Sequence, residues 1–105
     1  VTAIVHLDLQ LKPDLLDSVP AILNETLVAT RAWPGNEGLE VIVDDADPAH
    51  IIVVETWATA ADHEAYSVWR TTPEGANRLG EVVAALPVKT VFSGRIPLTV
   101  EPSPV

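Results

Sequence analysis

The stretch IIVVETWATAADHEAYSVW, residues 51–69, reads as a β-strand that runs directly into an α-helix. Its first four residues are β-branched and apolar, as a buried strand requires, and the polar and small residues from Thr59 onward suit a helix. Three of the chain's five aromatic residues, Trp57, Tyr66 and Trp69, fall within it. Both parities of the strand are apolar, Ile51 and Val53 as well as Ile52 and Val54. Residues of opposite parity point to opposite faces of a sheet, so this strand needs cover on both sides.

Working outward, Thr59 is placed to cap the helix, with Asp62 three residues on in the capping-box position, and the helix runs to about Arg70. Thr72-Pro73-Glu74 opens a second, short helix expected to end near Leu86, and Val88–Ile96 supplies a last strand. Upstream, Leu39–Val43 reads as a strand joined to the central one through the acidic turn Asp44–Pro48, which predicts an antiparallel hairpin. In Val1–Leu11 the apolar Val5, Leu7, Leu9 and Leu11 alternate with His6, Asp8 and Gln10, the pattern of a strand with one face on a core. Between these strands Leu15, Leu16, Val19, Ile22, Leu23 and Leu27 recur at helical spacing. Pro20 either kinks that helix or marks a start near Ser18, where a proline close behind the cap is tolerated.

The order strand, helix, strand, strand, helix, strand is that of an α+β, ferredoxin-like βαββαβ domain with a four-stranded antiparallel sheet and both helices on one face. The domain is expected over residues 1–98, followed by an extended, proline-rich tail over 99–105. A chain of 105 residues has room for one core. The other sheet face, apolar in part, implies a homodimer packed sheet to sheet.

Fifteen acids against six bases give a net charge of −9, which repels nucleic acid and anionic membrane surfaces. No apolar run approaches the ~20 residues of a membrane span. The start, VTAIVHLDLQ, lacks the basic leader of a signal peptide, so the expected location is cytoplasmic. Without cysteine there is no thiolate ligand or thiol nucleophile, and the three histidines lack metal-site spacing, so neither metal nor cofactor is expected.

The run Thr30-Arg31-Ala32-Trp33-Pro34-Gly35-Asn36, then Glu55-Thr56-Trp57, an aromatic-bearing helix and Thr72-Pro73, resembles the antibiotic biosynthesis monooxygenase domain over about residues 3–96. The resemblance implies a dimeric α+β barrel with a pocket between sheet and helices in each protomer. It further implies cofactor-independent oxygenation of a phenolic, quinol or anthrone-type aromatic by O2. The same fold also serves an isomerase, binding proteins and haem-degrading enzymes, which are the alternatives.

Under that resemblance His63, with an unperturbed pKa of about 6.5, is the natural base. Tyr66 or the indole N–H of Trp57 would hold the developing oxyanion. Trp69, His6, Glu55 and Arg95 are the expected substrate contacts, with Arg31 a second cationic anchor. Each has a structural reading as well. Trp57 could be a core residue fixing the helix entry, Glu55 a structural acceptor, and His6 a residue facing solvent or a dimer seam. Asp8 could orient His6, although residues two apart on a strand lie about 7 Å apart.

The sequence departs from each well-defined branch of the family. Val53 stands where the anthrone oxygenases carry asparagine, His63 where they carry tyrosine, and Tyr66 where the quinol oxidisers carry histidine. Leu79 occupies the position of the haem-ligating histidine, which leaves the haem reading without its ligand.

Overall fold

The structure is a computed structural model that describes residues 1–100. It contains β1 (Ala3–Gln10), a 3-10 turn at Pro13–Ser18, α1 (Val19–Ala32), β2 (Asn36–Asp44), β3 (Asp47–Trp57), α2 (Ala60–Arg70), single 3-10 turns at Pro73–Gly75 and Leu79–Glu81, and β4 (Val88–Phe92). The strands form one antiparallel sheet in the order β2-β3-β1-β4, so the expected ferredoxin-like arrangement is present.

Local chemistry accounts for where the helices start. Pro20 lies in the first turn of α1, where its missing N–H has no helical partner to lose, so the helix begins there and is not kinked. Ser18 sits at the cap position but makes no side-chain cap bond. At α2, Thr59 accepts from the Asp62 N–H at 3.1 Å and donates its hydroxyl proton to Asp62 Oδ2 at 2.9 Å. The aspartate therefore closes the box through the threonine side chain and does not reach the backbone.

Strand parity decides what faces the helices. Ala3, Val5 and Leu9 of β1 and Ala49, Ile51, Val53, Glu55 and Trp57 of β3 are all buried. Register sets Leu7 between Val53 and Lys89, and Val5 between Glu55 and Val91, so Lys89 and Val91 share the helix-facing side. Two core clusters result. One gathers Leu9, Leu11, Ile22, Leu23, Ile51, Val53 and Val82; the other gathers Ala3, Val5, Trp57 and Tyr66, with Trp33 and Trp69 against it.

The opposite face carries no helix. Ile42 and Phe92 are 46% and 47% exposed there, and Ile4, Ile52 and Val54 are half-buried.

Two expectations are corrected. The second short helix does not continue to Leu86. Thr72 Oγ1 takes the Gly75 N–H and Asn77 Oδ1 the Leu79 N–H, local bonds that compete with a helical ladder. The following chain is instead drawn to the end of β1, with Lys12 N–H donating to Val82 O and Ala84 N–H to Gln10 O. The last strand stops at Phe92 and not Ile96, and Ile96 and Leu98 are exposed. The expected tail at 99–105 falls mostly outside the described residues.

Candidate functional site

A cavity of about 180 Å³ lies between the sheet and the two helices, where the two core clusters meet. Val5, Leu7 and Val53 form its floor, Leu23 and Leu27 of α1 one wall, and Leu79 part of its cover. Glu55, His63, Ser67 and Lys89 bring acid, base, hydroxyl and ammonium groups to it. A larger groove of about 670 Å³ runs between α1 and β2, past residues such as Leu16, Val19, Val41 and Val43. Its lining includes Asn24 and Arg31 but no carboxyl or imidazole, so acid–base chemistry belongs to the smaller cavity.

Glu55 and Trp57 share a strand face, and Trp57 Nε1 donates to Glu55 Oε1 at 2.9 Å. Trp57 is fully buried and does not line the cavity. Its indole N–H, expected to serve a substrate, is spent on Glu55, so the structure places Trp57 in the core. Glu55 is 4% exposed, and among the described residues its second oxygen has no hydrogen-bond partner. Burial pushes its pKa up, opposed by the Trp57 N–H and by the charges of Arg70 and Lys89.

His63 is buried on the first turns of α2, edge-on to Trp57 at 5.5 Å. Its Nε2 lies 3.3 Å from Ser67 Oγ, one turn on, and Lys89 Nζ donates to that oxygen at 3.1 Å. An ammonium only donates, so Ser67 Oγ accepts from Lys89, and which partner donates in its contact with Nε2 depends on the imidazole tautomer. Burial, and then the Lys89 charge, push its pKa down, with Glu64 opposing.

Tyr66 lines the cavity with its ring, but its hydroxyl is occupied. It accepts from Arg70 Nε at 2.6 Å and shares a proton with Thr30 Oγ1 at 2.6 Å. The hydroxyl expected from sequence to face a substrate is thus engaged with Arg70 and Thr30 in this arrangement. The same Arg70 reaches Thr26 O, Thr30 Oγ1 and Gly75 O, and its guanidinium joins α2 to α1. Trp69 packs on Trp33 at 5.1 Å and under Arg70, on the outer side of Tyr66 and away from the cavity.

The remaining expected contacts lie elsewhere. His6 projects from the helix-free face against Phe92 at 5.1 Å, because its parity in β1 is opposite to that of Val5. Asp8 does not orient it; that carboxylate binds His50 Nε2 at 3.0 Å, while His50 Nδ1 meets Asp44 at 2.8 Å. Arg95 follows β4 and donates to Thr2 O at 2.9 Å, and Arg31 donates to Asn36 O.

Sequence reasoning missed Lys89, Ser67 and the structural part played by Arg70. Lys89 had a readable signal, being two residues from Val91 and so of one parity with it. Among the described residues no three His, Asp or Glu side chains converge as a metal site would require, and no helix is long and apolar enough to cross a membrane.

Residues 2–74 match the family model described as antibiotic biosynthesis monooxygenase. No curated protein matches the sequence significantly. Among solved structures, Rv0793 from Mycobacterium tuberculosis superposes with a TM-score of 0.73 at 17% identity, over 94% of this chain and all of that one. A conserved protein from Methanosarcina mazei Go1 gives 0.77 at 13% identity, over 90% of this chain and 94% of its own. A structure named as an antibiotic biosynthesis monooxygenase gives 0.71 at 19% identity, over 92% of this chain and all of its own. At such identities the likeness establishes the fold.

Proposed function

Because the chain belongs to the antibiotic biosynthesis monooxygenase family, we propose that it oxygenates a phenolic, quinol or anthrone-type aromatic with O2, without a cofactor, in the cavity between sheet and helices. The observation that carries this reading is the convergence of a buried carboxyl and a buried imidazole on one largely aliphatic chamber. Burial moves Glu55 up and His63 down, so their proton affinities approach each other.

In this proposal His63, leaving its contact with Ser67 as substrate binds, takes the acidic proton of the substrate. The resulting anion gives one electron to O2, and the radical pair combines to form a C–O bond at a carbon that still bears hydrogen. Glu55 protonates the peroxide. Removal of the remaining proton from that carbon then cleaves O–O, leaving a carbonyl and expelling hydroxide, which becomes water. One oxygen atom enters the product and the other leaves as water, so O2 supplies the whole oxidising equivalent.

Oxygen uptake over autoxidation with a panel of hydroquinones, naphthohydroquinones and anthrones tests the reading. It expects one 18O atom in the product from 18O2, with His63→Ala and Glu55→Gln each reducing kcat at least about a hundredfold. No enzyme-dependent uptake on any substrate removes the oxygenase reading. Stoichiometric hydrogen peroxide in place of water makes the protein an oxidase.

We also propose that a second copy covers the helix-free sheet face, where Ile42 and Phe92 are exposed beside half-buried Ile4, Ile52 and Val54. Sedimentation at micromolar concentration should give twice the 11.2 kDa chain mass. A value at the single-chain mass overturns the pairing.

A further inference from the structure

The chain has six lysines and arginines in all, and two of them, Arg70 and Lys89, border the cavity between sheet and helices. They are in different states. Arg70 is committed to Tyr66, Thr30, Thr26 O and Gly75 O and has little left to offer a ligand. Lys89 makes a single hydrogen bond among the described residues, to Ser67 Oγ, and an ammonium has three protons to give. It stands on the edge strand β4, exposed, while its parity turns it toward the cavity. Among the described residues Glu55 is the only acid lining this space, at the Trp57 end.

The volume narrows the ligand. Pockets for drug-sized molecules run to roughly 300–1,000 Å³, and this one is about 180 Å³. One aromatic ring with small substituents suits it, whereas three fused rings would overfill it.

We propose that the cavity takes a single-ring dihydroxyaromatic carboxylate, with its carboxylate paired to Lys89 at the mouth and its hydroxyls directed to His63 and Glu55. Lys89 is thereby a specificity residue, and the assignment rests on the oxygenase reading for the purpose of the hydroxyls. The physical logic is one of placement. The neutral ring lies against Val5, Leu7, Leu23, Leu27 and Val53, and the charge stays where water and an ammonium meet it, so no unpaired anion is buried.

The test compares 2,5-dihydroxybenzoate with 2,5-dihydroxybenzamide, which has the same shape and no charge, by calorimetry under anaerobic conditions. The carboxylate should bind about tenfold more tightly than the amide, as expected for one charge-assisted hydrogen bond. Lys89→Met should abolish that preference while leaving the amide Kd within about twofold, and Lys89→Arg should retain most of it. Thermal unfolding of each variant confirms that it is folded.

Equal binding of the two ligands, failure of both to bind, a preference that survives Lys89→Met, or tighter binding of a dihydroxyanthrone overturns the proposal. Admitting air separates the two readings. A Lys89-dependent preference without oxygen uptake upholds the ligand assignment and removes the oxygenase.

Discussion

Replacing Tyr66 by phenylalanine separates a tyrosine that holds the fold from one that touches substrate. The ring, and with it the cavity wall, stays; the hydroxyl that accepts from Arg70 Nε and meets Thr30 Oγ1, both at 2.6 Å, goes. Thr30 is fully buried but keeps Arg70 Nη2 at 3.1 Å, so its hydroxyl is not orphaned. Arg70 Nε loses its only partner among the described residues. One charge-assisted bond is therefore lost, at a cost of about 2–3 kcal/mol, which for a domain of this size lowers Tm by roughly 10 °C. A double-mutant cycle with Arg70→Met should give a coupling energy of about 1 kcal/mol or more, because the two side chains form one network. Oxygen uptake, or ligand affinity in its place, should stay within about threefold, since no substrate atom relies on this hydroxyl. An unchanged Tm together with lost activity would refute the reasoning, for it would show a hydroxyl that serves the ligand and not the helices.

Three further outcomes are expected. His63 is buried in neutral form with its pKa below the usual 6.5, so the unfolded chain takes up its proton first as the pH falls. Its contribution is fully present above about 6.5 and is lost as the pH falls from there to the folded value. Urea unfolding should therefore weaken more steeply between pH 7 and 5 in wild type than in His63→Gln, and a shallower wild-type slope contradicts this. Trp57→Phe removes the donor to Glu55 Oε1 from a fully buried site. It should cost about 2–4 kcal/mol in urea melts and move the Glu55 carboxyl titration, followed by NMR, further upward; a downward move would exclude the indole as its stabilising partner. Gly75→Ala drives a methyl into the Trp69 carbonyl and the Arg70 backbone. About 3 kcal/mol should be lost, and thermal melting that leaves Gly75→Ala as stable as wild type would show that this turn moves aside easily.

The order of elements was legible because period-two and helical patterns occupy separate stretches, and because Pro20, Thr59 and the Asp44–Pro48 turn punctuate them. Parity correctly put Glu55 and Trp57 on one face. It could not say that the indole N–H would be consumed by its own neighbour two residues away. His6 was tied to the pocket through chemistry alone, whereas the parity of β1 sends it to the other face. Residues 72–86 were read as one short helix since Thr72 and Asn77 have helix-compatible neighbours, while their local side-chain bonds to Gly75 and Leu79 break the ladder. Arg70 and Lys89 were passed over for a similar reason. A long cation on a helix or edge strand reads as solvated until the register of β4 and the spacing of the helices are known.

The bonds from Arg70 to Thr26, Thr30, Tyr66 and Gly75 also divide the chamber into walls of unequal adaptability. The two helices and the Gly75 turn are stitched together and resist separation, while Asn77 and Leu79 arrive from short turns that precede the Val82 bond to the end of β1. A lineage of this protein acquiring bulkier substrates would change between Ala76 and Gly80 before it changed in the helices. Libraries intended to widen its substrate range belong in that segment, with the guanidinium network left intact.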